Sequence, residues 1–330
     1  MKKHVFKVLF MMILVGVLAA CGGNGNGGDK QAAGEEQNGG SGAEEKLSFA
    51  FLPNTQNNTF QTAMTETYER LAKENGVEFT MLDPDYDLNK QMNQMADAAN
   101  QGFDAVFVIP VDSAGIRQGL EQLKEKNIPV FNVDTAVIEE DRELVESVIA
   151  TDAYMAGKLM GEQMVKDYPD GGQIAILDFP SNESCVQRVA GFMDGLGDSK
   201  DKFEIVAQQD GKAALDASLP IAEDIIQANP DIDAFFAIND PSALGVAAAI
   251  EASGKDNIGV YSIDASPDGK AALVDGSFTA VAAQVPIQIA EKSFQAALDL
   301  LDGKEIEKEM LLPSHVVTKE MAEETAGKWQ

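Results

Sequence analysis

This chain has few of the residues on which catalysis usually depends. Among 330 residues there are two cysteines, two histidines and one tryptophan. His4 sits among the first lysines and His315 near the far end, so no imidazole pair is at hand for acid–base work. A lone His315 reads as a structural residue. Positive charge is also scarce. Twenty-five Lys and Arg face 54 Asp and Glu, a formal charge of −29. Such a surface repels nucleic acid and anionic lipid headgroups, so no nucleic-acid partner is expected. Its ordinary role is to keep a protein soluble. Nucleotide-binding signatures are missing. Phe51-Leu-Pro-Asn-Thr55 contains no glycine, and Ser253-Gly-Lys255 lacks the upstream glycine and the hydroxyl partner of a phosphate loop. The acidic run Asp83, Asp85, Asp87 has Leu88 where a calcium loop needs glycine, so it reads as a turn and helix cap rather than a metal site. No cofactor and no metal are expected, and the chain is not expected to be an enzyme.

A membrane-spanning run is absent too. Val8 to Leu18 is apolar but only eleven residues long, against about 20 for a span. Lys2, Lys3 and Lys7 precede it and small residues follow, the order of a secretory signal. The closing Leu18-Ala-Ala-Cys21 resembles the bacterial lipobox. That resemblance implies cleavage before Cys21, with lipid on its sulfur and new amino group. Removing residues 1–20 takes three lysines and no carboxylate, which moves the charge from −29 to −32. Residues 22–46 are rich in Gly, Asn, Gln and Glu, cannot bury a core, and read as a disordered linker. As a coil it would reach on the order of 25–30 Å. With Cys21 acylated, Cys185 has no disulfide partner, and a body of this size needs none.

What is present from Leu47 onward is alternation. Leu47–Leu52, Val77–Leu82, Ala105–Ile109 and Ile128–Val133 read as apolar strands, with helical patterns at 60–75, 88–101 and 113–126 between them. The alternation restarts at Ser147–Ala150. It continues through strands at 173–177, 203–207, 234–237, 259–263 and 279–283, and through helices at 153–167, 184–196, 216–228, 241–252, 267–274 and 287–302. Continuous apolar strands between amphipathic helices predict parallel sheets covered on both faces, and hence an α/β fold of two doubly wound lobes.

Ligands of open parallel sheets sit beyond the carboxyl ends of the strands. The residues found there are Asn54, Asp134, Asn239, Asp240, Asp264 and Gln284, with Arg188 on a helix after the strand ending at Leu177. The set holds carboxylates, amides and a guanidinium, and no nucleophile. Sugar hydroxyls both donate and accept, so such a set suits a polyhydroxylated ligand, with Phe60 placed to pack on ring carbons. Taken singly, each polar residue reads equally as a helix cap or turn former.

Several segments carry a resemblance to the type I periplasmic solute receptors of the ribose-binding-protein-like family. They are Asn57-Asn-Thr-Phe60, Ile128–Asp134, Ala150-Thr-Asp152, Arg188-Val-Ala-Gly-Phe192, Ala237-Ile-Asn-Asp240, Ser262-Ile-Asp264 and Ala283-Gln284. The resemblance covers residues 47–320. It implies two lobes joined by a three-crossing hinge, of residues 47–150 plus 285–311 and 151–284 plus 312–320. Residues 321–330, by their own composition, read as a terminal helix or tail outside the site. The resemblance also implies that Asn54, Asn58, Phe60, Asp134, Arg188, Asn239, Asp264 and Gln284 contact a monosaccharide. Thr135 joins them because it stands where the ribose pattern has arginine. Gln61 replaces a second aromatic, and no ring stands at 210–214, so the expected ligand is a pentose-like sugar or polyol other than ribose, with Phe179 as a replacement ring. The implied partners are that small molecule, an ABC importer permease, and the membrane through the lipid, with the receptor a monomer on the extracytoplasmic face. A sensor that presents a sugar to a membrane kinase would have the same binding chemistry. A repressor of the same core fold would need a basic face in place of the signal.

Overall fold

The computed structural model describes residues 46–329. The expected signal, Cys21 and the linker up to residue 45 lie outside the described residues. In the first half, β1 (Ser48–Leu52), α1 (Thr59–Asn75), β2 (Glu78–Met81), α2 (Leu88–Gln101), β3 (Ala105–Val108), α3 (Arg117–Glu125), β4 (Val130–Val133) and β5 (Ser147–Thr151) alternate. The second half runs α4 (Ala153–Asp167), β6 (Gly172–Asp178), α5 (Glu183–Gly195), β7 (Phe203–Asp210), α6 (Leu215–Ala228), β8 (Ala234–Ala237), α7 (Asp240–Ser253), β9 (Gly259–Asp264), α8 (Pro267–Asp275) and β10 (Ala280–Ala283). Then come α9 (Pro286–Leu301), β11 (Glu309–Leu312) and α10 (Lys319–Glu324).

The strands form two sheets, in the orders β11-β5-β4-β3-β1-β2 and β10-β9-β8-β6-β7, and every pairing between them is parallel. The fold is therefore α/β with two parallel-sheet lobes. Period-2 alternation explains how both faces of each sheet are filled. Phe49, Phe51, Phe107 and Phe131 pack beneath α1 and α9, while Ala50, Leu52, Val106 and Val130 pack beneath α2 and α3. In the second lobe, Leu177, Phe235 and Val260 face α6 to α8, while Ile176, Phe236 and Tyr261 face α4 and α5.

The chain passes from one sheet to the other after β5, after β10 and after β11. Asp152 N donates to Leu312 O at 2.8 Å and ties two of these passages together. On one side the lobes also touch directly. Asn182 Nδ2 donates to Thr135 Oγ1 (3.0 Å), Ser184 Oγ to Asp134 O (3.1 Å), and Glu183 N to Ser113 Oγ (3.1 Å).

The C-terminal segment is folded onto both lobes. α10 packs on α8, with Ala322 buried in the second lobe, and Trp329 lies against Phe60 of the first lobe.

Candidate functional site

A cavity of about 430 Å³, including its opening to solvent, lies between the carboxyl ends of the two sheets. The nine residues expected from the sequence all line it: Asn54, Asn58, Phe60, Asp134, Thr135, Arg188, Asn239, Asp264 and Gln284. Gln61, Tyr86, Phe179, Asn182, Cys185 and Ala213 complete the lining.

Capping and lining the site turn out to be compatible. Asn58 Oδ1 accepts from Phe60 N (2.8 Å) and so starts α1, and the Asn58 side chain lies near the Tyr86 hydroxyl. Asn239 Oδ1 accepts from Ser242 N (3.0 Å) at the start of α7, while its Nδ2 donates to Ala213 O (3.0 Å). The cap geometry is what holds each amide at the cavity wall. Thr135 lines the cavity, but its hydroxyl accepts from Asn182 Nδ2 and lies 3.5 Å from Asp134 Oδ2, so it also ties the lobes.

Arg188 is placed by the packing of α4 on α5. A Cβ added at Gly157 would come within 1.9 Å of Arg188 O, and one at Gly191 within 1.9 Å of Tyr154 O. Only glycine lets these backbones approach so closely. Arg188 Nη1 donates to Ile238 O (2.8 Å) and stands 3.9 Å from Asp264 Oδ1. Gln284 Nε2 donates to the same carboxylate (2.7 Å), and Asp240 N to its Oδ2 (3.2 Å). Behind it, buried Asp240 accepts from Ser262 Oγ, Ser266 N and Ser266 Oγ, each at 2.7 Å. Asp134 and Asp264, each at a strand end, have φ of 62° and 137°, a backbone region that non-glycine residues rarely occupy and that often marks functional sites.

Burial sets the protonation chemistry. It pushes Asp134 up to about 7, opposed by nearby Arg188 and reinforced by Asp264. Burial also raises Asp264, against the pull of Arg188 and Gln284, and lifts Asp240 to about 8. The Cys185 thiol is pushed up to about 12 by burial, so near neutral pH it is a thiol and a poor nucleophile.

Three buried polar atoms of the lining have no hydrogen-bond partner within the protein: Asn54 Oδ1, Gln61 Oε1 and Arg188 Nε. The residues that carry these two acceptors and one donor line one cavity together with Phe60, Tyr86 and Phe179. Leaving a buried polar group unpaired costs about 1–3 kcal/mol, so a ligand rich in hydroxyls gains by meeting all three.

Sequence reasoning missed Gln61 and Tyr86. Gln61 was read only as the loss of a ring. Tyr86 lies inside the acidic turn. There Asp83 Oδ1 accepts from Asp85 N (2.9 Å), Asp85 takes Asn57 Nδ2 (3.2 Å), and Asp87 caps α2 through Lys90 N (3.1 Å). The three carboxylates serve the turn and the cap, and the turn puts Tyr86 at the mouth, with Tyr86 N donating to Asn54 O (2.8 Å). The readable signal was an aromatic residue between a strand end and a helix cap in the site-bearing lobe.

Residues 49–305 match the model of the periplasmic binding protein domain family. The ribose import binding protein of Bacillus subtilis is 30% identical over 280 residues, which cover 84% of this chain and 90% of that protein. Among solved structures, the myo-inositol binding protein of Caulobacter, bound to myo-inositol, superposes with a TM-score of 0.80 at 26% identity, covering 86% of this chain and 98% of that one. A Mycobacterium smegmatis protein in complex with β-D-fucofuranose gives a TM-score of 0.80 at 26% identity, covering 84% of this chain and 93% of its own.

Proposed function

The chain belongs to the periplasmic binding protein domain family, and on that premise we propose that it is an extracytoplasmic receptor that captures one monosaccharide or polyol between its lobes for an ABC importer. The observation that carries this reading is the trio of unpaired buried atoms, Asn54 Oδ1, Gln61 Oε1 and Arg188 Nε, set among aromatic rings. Hydroxyls on a small ring supply both the donors and the acceptor these atoms need. Charge-assisted bonds to Arg188, Asp134 and Asp264 add strength. The role of the nine expected residues as ligand contacts is part of this proposal.

The ligand is one of the ring sugars or cyclic polyols rather than ribose as such. Thr135 stands where the ribose pattern has arginine, and Gln61 offers an amide where it has a ring. Relatives named for myo-inositol and for a furanose support that breadth. A lining whose one thiol is held protonated supports binding without catalysis. A relative named for ribose import supports delivery to a permease over presentation to a kinase. Lipid anchoring at Cys21 rests on Leu18-Ala-Ala-Cys21. Cys21→Ser should release the protein from the membrane, and retained lipid labelling would contradict the anchor.

A thermal-shift screen of pentoses, hexoses, their furanose forms and cyclic polyols tests the main reading. At a hundredfold excess over Kd, binding adds about 2.7 kcal/mol of stability. No shift with any of them would falsify the assignment.

A further inference from the structure

The last residues described join the two lobes at the edge of the site. α10 belongs to the second lobe: it packs on α8, and Ala322 is buried in that lobe's core. Seven residues later, Trp329 packs with the core cluster of the first lobe. Its ring meets Phe60 edge to face, with centroids 5.5 Å apart and planes at 87°. Phe60 in turn lines the cavity.

The turn between these two anchors is built on a buried lysine. Lys270, on α8, donates through Nζ to Thr325 O (3.0 Å), to Thr325 Oγ1 (2.9 Å) and to the carbonyl of Lys328. Thr325 Oγ1 also donates to Met321 O (2.7 Å), and Gly327 at φ +71° reverses the chain. A cation sunk in the second lobe thus shapes the segment that delivers an aromatic ring to the first. Burying that ammonium is costly unless the carbonyls around it are used, so the turn is specified rather than incidental.

We propose that residues 325–329 are an interlobe strap, with Trp329 as a positioning residue that backs Phe60 and slows separation of the lobes. The inference rests on the receptor reading of the site. Parting the lobes at this edge must either break the Trp329–Phe60 contact or pull the turn off Lys270. The lobes are tied elsewhere by hydrogen bonds from Asn182, Glu183 and Ser184. The lobes are therefore joined by a polar clasp and by an aromatic one. An edge-to-face pair of this kind corresponds to roughly a two- to tenfold change in a dissociation rate.

Trp329 is the only tryptophan, so the emission of the full chain reports it alone. The wild type should emit at short wavelength and resist acrylamide quenching. Phe60→Leu and Lys270→Met should each move emission to the red and increase quenching. Solvent-like emission that neither variant moves would overturn the strap, whether or not any sugar binds. The second arm follows tritiated D-ribose, D-fructose, L-arabinose, D-fucose and myo-inositol, using whichever the wild type retains in a chase. Trp329→Ala should speed release two- to tenfold, and Trp329→Phe should restore it, with little change in the unfolding temperature of the sugar-free protein. An unchanged release rate, or a loss confined to sugar-free stability, overturns the positioning role. If the wild type retains none of the five, the sugar reading fails separately, and emission alone decides the strap.

Discussion

The first lobe meets the cavity with the rings of Phe60 and Tyr86 and with two amide oxygens that have no partner, Asn54 Oδ1 and Gln61 Oε1. The second meets it with Arg188 and Asp264, already braced by Ile238 O, Gln284 and the Asp240 backbone. The second wall is mainly charged and braced, with the ring of Phe179 beside it; the first is mainly aromatic with unmet acceptors, and carries one carboxylate, Asp134. Preorganised charge costs little rearrangement when a ligand arrives, so the second lobe should set most of the affinity. The first lobe, whose groups gain most from a ligand, should set which ring is accepted. Each prediction below removes one side of this contrast.

The largest effect should come from Arg188→Ala. It removes the donor Nε and leaves Asp264 without its guanidinium. Truncating one member of a buried charged pair costs about 2–5 kcal/mol, so binding should weaken about thirtyfold or more. Calorimetric titration with the best sugar from the screen measures it, and unchanged affinity would remove the second lobe from its leading role. Next comes a pH effect carried by buried carboxylates of both lobes. Asp134 and Asp240 are raised by burial to about 7 and about 8, from 3.8 when unperturbed, and Asp264 is raised as well. The folded state therefore holds protons that the unfolded chain has lost. Their contribution is full below about pH 4 and drains away as pH rises through about 7 to 8. Chemical denaturation of the sugar-free protein should show stability falling over that window. A rise across it would mean that these carboxylates are ionised in the fold. Gly157→Ala should follow in size. Its Cβ would press on Arg188 O, forcing α4 and α5 apart, at a cost of about 1–3 kcal/mol of stability together with weaker binding. An unfolding midpoint equal to wild type would show that the helices have slack.

The strands were legible because parallel strands buried on both faces are apolar without a break, as in Ala105–Val108 and Ala234–Ala237. The site was legible as far as it sits at strand ends. What escaped had physical reasons. α3 begins at Arg117 rather than 113 because Asp112 Oδ1 accepts from Ala114 N and Gly115 N and holds a turn there. β7 runs to Asp210, three residues beyond the apolar run, because an edge strand can pair through its backbone while its polar side chains face water. Tyr86 was hidden because the acids around it explain the turn so well that its one ring drew no notice. Trp329 was hidden because a contact with Phe60, far away in the chain, leaves no local pattern.

The smallest effect should be that of Tyr86→Phe, and it bears most directly on the first lobe. The substitution keeps the ring at the mouth and deletes only the hydroxyl, which lies near the Asn58 side chain. Tyr86 is 38% exposed, so water already meets part of what that hydroxyl offers. A net loss of about 0.5–1.5 kcal/mol, or roughly a two- to tenfold weaker Kd, is then expected. Tyr86→Ala removes the ring as well and should cost more. If the contrast between the lobes is right, the two variants should also change the ranking of sugars in the screen, because the aromatic wall meets the ring carbons. Arg188→Ala should instead weaken every sugar alike. Equal losses across the panel for Tyr86→Ala would assign selectivity to the charged wall.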